Sequence, residues 1–257
     1  MRILIIAENE HFFIPDMIRE FLDICGEDIV GIAIADDPVL KPLEILQWKY
    51  RSFRKKTAIM TSYDMFKLSC RLLKMYINGI FTRRLPTLRA VAAEKGIACF
   101  HLKNVNSPVS LSKIKNIEPD LIISVQDHIF GKELLEIPKL GCINKHAALL
   151  PEYKGVWPVF WAMLNNESQT GLTIHWIDSG VDTGRIIVQR PVPINQGDSM
   201  YDLYRKIFAL CAVSLNEAVA MIKENPSGGT VQRKGCYFSF PDRASVLRFR
   251  QKGDSVI

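Results

Sequence analysis

The chain lacks most of the signatures that name a chemistry at first sight. Its six cysteines (Cys25, Cys70, Cys99, Cys142, Cys211, Cys236) include no Cys-x-x-Cys and no paired metal-ligand spacing. That argues against a zinc site and a disulfide framework, and the thiols are read as reduced. No Gly-x-Gly-x-x-Gly follows the first apolar run; the residues there are Ala7-Glu-Asn-Glu-His-Phe-Phe13. A dinucleotide site of the usual kind is therefore not expected. No apolar stretch is long and charge-free enough to span a bilayer. Met1–Ala7 is too short for a signal peptide and is expected to be a buried first strand. A cytoplasmic enzyme is the expectation.

What is present reads as an α/β protein. Hydrophobic residues make up 48% of 257, enough for a packed core. Strands are expected at Arg2–Ala7, Ile29–Ala35, Ala98–Leu102, Leu121–Val125 and 141–146. Helices are expected at Pro15–Cys25, stopped by Gly26, at Leu88–Lys95, stopped by Gly96, and at Ser110–Ile117, closed before Pro119. A short helix begins at Lys132 and a long one covers Tyr201–Lys223. Alternation of this kind implies a mostly parallel sheet with helices on both faces, and such sheets bind ligands at the carboxyl ends of their strands. The expected organisation is one catalytic domain over 1–223, carrying a basic helical insertion at about 41–86, with a short extension over 224–257.

The densest polar signal is Asn144-Lys-His146, at the end of the run from Gly141. Strand alternation puts Asn144 and His146 on one face and Lys145 on the other. An amide N–H and an imidazole N–H converging on one point can hold a carbonyl oxygen as it becomes an oxyanion. A nearby carboxylate can orient and charge the imidazole, or take a proton from an attacking amine. Asp182 stands in a Gly-flanked turn downstream. By itself, a polar pair at a strand end is more often a local hydrogen-bonder.

The surroundings extend the pair. Asn144-Lys-His-Ala-Ala-Leu-Leu-Pro-Glu-Tyr-Lys-Gly155 leads into Val-Trp-Pro-Val-Phe-Trp-Ala162, then Thr170-Gly-Leu-Thr-Ile-His-Trp-Ile-Asp178, then Ser-Gly-Val-Asp182-Thr-Gly184. From about Ile122 to Ile194 this resembles the formyltransferase family that uses 10-formyltetrahydrofolate. That family includes methionyl-tRNA formyltransferase, glycinamide ribonucleotide formyltransferase and the sugar N-formyltransferases. The resemblance implies a Rossmann-like formyltransferase fold, with Asn144, His146 and Asp182 as catalytic residues. It implies 10-formyltetrahydrofolate as co-substrate and no metal. Lys145 departs from the apolar residue commoner at its position. Folate contact is implied for Val125, Gln126, Asp127, His128 and Ile129, and for Val181, Thr183 and Gly184 around Asp182. Asp127 and His128 depart from the small or apolar residues of the tRNA enzymes, so substrate binding and a solvated loop both stand as readings. Tyr153, Lys154 and Trp157 are implied at the substrate entrance. For Trp157, stacking on a sugar or base stands beside plain packing, whereas Trp161 reads as core in a helix over Val156–Asn166. For His175, a half-buried structural histidine stands beside support of Asp182. Asp178 is expected to close its turn, with Gly180 and Gly184 letting the backbone fold tightly.

The acceptor amine is a separate question. A net charge of +6 suits a phosphate-bearing substrate, tRNA or an anionic membrane without choosing among them. Segment 41–84 contains the basic run Trp48–Lys56 and, at Phe66–Ile77, a basic amphipathic helical pattern. It reads as a solvated arm, as a contact with a membrane or lipid-linked substrate, or as a phosphate contact through Arg51, Arg54, Lys55 or Lys56. Fewer than thirty residues follow Gly229, too few for the separate β-barrel of methionyl-tRNA formyltransferase. The layout resembles stand-alone sugar N-formyltransferase-like proteins. That implies an amino-sugar acceptor, free or nucleotide-linked, in surface polysaccharide synthesis, and disfavours tRNA. A methionyl-tRNA formyltransferase-like enzyme and a formyltetrahydrofolate hydrolase are the alternatives. Homodimer formation and peripheral membrane contact through 41–84 stay open.

Overall fold

The computed structural model describes residues 1–25, 28–35 and 60–257. The Trp48–Lys56 run and the Gly26 stop lie outside the described residues. In chain order the strands are β1 (Ile3–Glu8), β2 (Ile29–Ala35), β3 (Cys99–Leu102), β4 (Leu121–Val125), β5 (Gly141–His146), β6 (Lys154–Gly155), β7 (Gln169–Trp176), β8 (Ile186–Pro193) and β9 (Tyr237–Phe238). The helices are α1 (Ile14–Cys25), α2 (Ser62–Thr82), α3 (Leu88–Glu94), α4 (Pro108–Ile117), α5 (Lys132–Leu135), α6 (Pro158–Leu164), α7 (Met200–Glu224) and α8 (Arg243–Gln251).

Seven strands form one sheet in the order β3-β2-β1-β4-β5-β7-β8, and β6 pairs with β9 in a second, two-stranded sheet. The pairs from β3 to β5 are parallel, while β5–β7 and β7–β8 are antiparallel. Strands β1 and β4 are buried almost throughout, which explains their unbroken apolar runs. Side chains of one parity, including Ile3, Ile5, Ile123 and Ile143, pack under α1, α3 and α7. Those of the other parity, including Leu4, Ile6, Ile122 and Cys142, pack under α4 and α5. The Rossmann-like α/β fold is thus present, with helices on both faces. The chain builds outward from β1 through β3, then returns to the other side of β1 with β4. Such a reversal opens a crevice beyond the carboxyl ends of the two central strands.

Some boundaries differ from the sequence reading for local reasons. Helix α6 begins at Pro158 because Trp157 is left-handed, with φ of 57°, and proline at the first helical position fixes the next turn. Helix α4 begins at Pro108, where Ser107 accepts a hydrogen bond from Ser110 N. The Phe66–Ile77 pattern falls inside the longer α2, which opens with a capping box between Thr61 and Asp64. Trp161 is half-buried rather than core: its indole N–H donates to Ser239 O at 3.0 Å, and its ring stacks on Phe238. The segment after α7 folds back onto the domain. Its α8 places Val246 and Phe249 in the main core, and Phe249 stacks on Phe160 with centroids 4.6 Å apart.

Candidate active site

A cavity of about 410 Å³ opens at the crevice. Asn144, His146, Asp182, His175, Ser124 and Gln126 line it, as does the loop Asp127–Phe130. Asn144 and His146 project from one face of β5. Asn144 lies opposite His175 and His146 opposite Thr173 in the β5–β7 register. Lys145, on the other face, places Nζ 4.6 Å over the Phe208 ring of α7. The turn after β7 folds back so that Asp182 reaches both histidines. Oδ2 lies 3.5 Å from His146 Nδ1, and Oδ1 lies 3.6 Å from His175 Nε2.

The turn is built for that reach. Asp178 Oδ1 accepts from Gly180 N at 3.0 Å and from Thr183 Oγ1 at 2.5 Å. Asp182 adopts a left-handed φ of 53°, and its Oδ2 accepts the Gly155 N–H at 2.8 Å. Gly184 passes so close to β7 that a Cβ there would sit 1.9 Å from Trp176 O. Gly155 combines a φ of 93° with a Cβ position 2.3 Å from Phe238 O, so only glycine fits.

Hydrogen-bond roles follow from the partners. A carbonyl oxygen only accepts, so His146 donates its Nε2–H to Tyr153 O, 2.8 Å away. Likewise His175 donates Nδ1–H to Trp176 O at 2.8 Å. In the neutral rings the remaining nitrogens carry lone pairs, and both face Asp182. His175 is buried rather than half-buried, with Asp182 and the His146 ring set against it. Burial pushes its imidazole well below the ordinary range, against the pull of the Asp182 charge. Five buried side-chain atoms among the described residues have no hydrogen-bond partner, and two of them, Asn144 Oδ1 and His175 Nε2, belong to residues lining this cavity. Such unspent capacity marks where a bound molecule would complete the bonding.

The structure redistributes several residues expected at the site. Gln126, Asp127, His128, Ile129, Val181 and Thr183 line the cavity. Gln126 is spent on its own loop, donating to Ser124 Oγ and His128 O while accepting from His128 N. Val125 does not line the cavity: alternation turns it into the core, with Ser124 and Gln126 facing the other way. Gly184 also stands back, packed against Trp176. At the entrance Trp157 lines the cavity, but Tyr153 and Lys154 do not. Tyr153 directs its hydroxyl to Glu167 at 2.6 Å and stacks on Phe238, while Lys154 is buried in β6. The contribution of Tyr153 to the site is its carbonyl.

A second flank escaped the sequence reading. Glu8, Glu10, Phe13, Tyr204, Phe208 and Tyr237 also line the cavity. Glu10 caps α1: its carboxylate accepts from Phe12 N, from Phe13 N at 2.8 Å and from Ile14 N at 2.9 Å. An acidic residue just ahead of Ile14-Pro15 is a helix-start signal, and it could have been read as such.

A family description, formyl transferase, matches residues 84–219, more than half of the chain. The chain belongs to the formyltransferase family. Within it, the methionyl-tRNA formyltransferase of Geobacter sulfurreducens is 37% identical over 138 residues, covering 53% of this chain and 44% of that protein. The Clostridioides difficile enzyme of the same name is 36% identical over 146 residues, covering 56% and 47%. The match thus spans less than half the length of these relatives. Solved structures of similar fold include glycinamide ribonucleotide transformylase 1 of Symbiobacterium toebii, with a TM-score of 0.61 at 18% identity over 90% of this chain and 93% of that one. Another is a Helicobacter canadensis N-formyltransferase in complex with folinic acid and dTDP-3-aminofucose, with a TM-score of 0.58 at 21% identity over 93% and 71%. At these identities the structural likeness concerns the fold. Among the described residues no cluster of three or more metal-ligating side chains occurs, and no helix is long and apolar enough to cross a membrane.

Proposed function

We propose that this formyltransferase moves the formyl group of 10-formyltetrahydrofolate to a primary amine on an amino-sugar, free or nucleotide-linked. The observation that carries this reading is the set Asn144, His146, Asp182 and His175 around one cavity, with Asn144 Oδ1 and His175 Nε2 unpartnered. An amide can present either its oxygen to an amine N–H or, rotated by half a turn, its NH2 to a carbonyl oxygen, so Asn144 suits both reacting groups. His146 keeps its Nε2–H on Tyr153 O, while Nδ1 faces Asp182. Bond formation makes the amine nitrogen acidic. A proton entering between Asp182 and the two ring nitrogens is bound by groups that otherwise set lone pairs against a carboxylate. Once Nδ1 is protonated, His146 places positive charge beside the developing oxyanion. The same proton can then return to the departing folate nitrogen.

The flank formed by α1 and α7 supports the sugar. Phe13, Tyr204 and Phe208 offer rings, and the carboxylates of Glu8 and Glu10 suit hydroxyl donors. The N-terminus of α1, the natural anion site of this crevice, is already filled by Glu10. That supports an acceptor whose reacting end carries no phosphate. A methionyl-tRNA acceptor is the second reading, favoured by the sequence relatives. Release of tetrahydrofolate, measured without acceptor, with 3- or 4-amino-sugar nucleotides and with Met-tRNA, tests both. Turnover with an amino-sugar nucleotide is the expected result. Turnover with Met-tRNA alone overturns the acceptor, and equal release with no acceptor shows a hydrolase.

A further inference from the structure

Helix α2 carries an apolar stripe that nothing in the described structure covers. Its 21 residues make a rod about 30 Å long. At 100° per residue, Tyr63, Phe66, Leu73, Ile77, Ile80 and Phe81 fall within an arc of about 100°. They are between 47% and 83% exposed, Phe81 the most. The rest of the helix circumference holds the body: Arg71 lies 4.1 Å over the Tyr201 ring, and Tyr76 OH lies 3.0 Å from His11 Nδ1. Both anchors adjoin the cavity wall, since His11 follows Glu10 and Tyr201 contacts Phe13.

Charge selects the occupant. The one acidic residue of α2, Asp64, is buried in the capping box. Lys67 and Lys74 border the stripe, and Arg83 and Arg84 stand exposed at its end. No exposed acidic residue on the helix offsets these cations, so the stripe carries a positive rim. An anionic bilayer meets both features, taking the rings and aliphatic groups at the acyl boundary and the cations among its headgroups. We propose that α2 is a membrane-surface docking helix, selective for anionic lipid, that brings the cavity mouth to the headgroup layer.

Flotation of the full chain with vesicles tests this. Vesicles of phosphatidylcholine containing phosphatidylglycerol should carry the protein upward, with less carried as salt rises, and phosphatidylcholine alone should carry little. The pair Phe66→Glu/Ile77→Glu should abolish flotation. A second variant, Lys74→Gln/Arg83→Gln/Arg84→Gln, leaves the stripe intact and should weaken partitioning to the mixed vesicles roughly 10²-fold. Both variants should keep the wild-type melting temperature. No flotation of the wild type, or unchanged flotation of both variants, overturns the proposal. So does a wild-type dimer that Phe66→Glu/Ile77→Glu dissolves without any flotation having occurred.

Discussion

On the β5 side of the cavity, polar groups face one another across the sheet; on the α1–α7 side, they hold backbone and rings. Asn144, His146, His175 and Asp182 come from two adjacent strands and a turn folded back over them, and three of the four are bound to main chain. Glu10, Phe13, Tyr204 and Phe208 come from helix ends and helix faces, where position depends on packing. The first side is suited to moving a proton along a fixed track. The second is suited to accepting one shape and refusing others. The helices of the second side meet the sheet mainly through apolar contacts, joined by the Arg190–Glu217 ion pair and by Lys145 over Phe208.

The largest effect should come from the strand side. Asn144→Ala should slow formyl transfer about 10²–10³-fold, the usual cost of one lost oxyanion donor. Circular dichroism should stay unchanged, and a wild-type rate would remove Asn144 from the chemistry. Phe238→Ala probes the support beneath both sides, because Phe238 stacks on Tyr153 and on Trp161. Two ring pairs lost should cost about 1–3 kcal/mol in urea unfolding.

His175 gives a pH signature. Its folded value lies below the ordinary 6.5, so the unfolded chain takes up this proton first as pH falls. The stability it contributes is therefore complete above about pH 6.5 and is lost below it, at up to about 1.4 kcal/mol per pH unit. His175→Gln should flatten that part of the stability profile; an unchanged slope would assign it to other groups. The smallest effect belongs to the helix side. Glu10→Ala should cost about 1 kcal/mol through the lost cap. It should also let inorganic phosphate inhibit transfer, whereas equal phosphate sensitivity in both proteins would show that Glu10 guards nothing.

These contrasts track what could be read from the chain. Residues 141–146 and 178–184 were legible because strand alternation and turn chemistry are local, and the resemblance lay in the same stretch. Val125 turns into the core by the same local alternation, although the resemblance implies folate contact for the whole stretch Val125–Ile129. The burial of His175 depends on Asp182 and His146 packing against its ring, contacts that no periodicity in 173–177 reveals. The roles of Tyr153 and Trp161 were hidden more deeply. Both are set by residues near 238, some eighty positions away, and apolar spacing carries no record of such partners.

The β6–β9 pairing has a consequence in time. Lys154 N binds Cys236 O, Val156 N binds Phe238 O, and Gln232 Nε2 holds the carbonyls of Asp182 and Gly184. Asn144, His146 and Asp182 leave the ribosome long before the strand that clamps their loops together. During synthesis these three side chains therefore precede the segment 232–238 that ties their loops together.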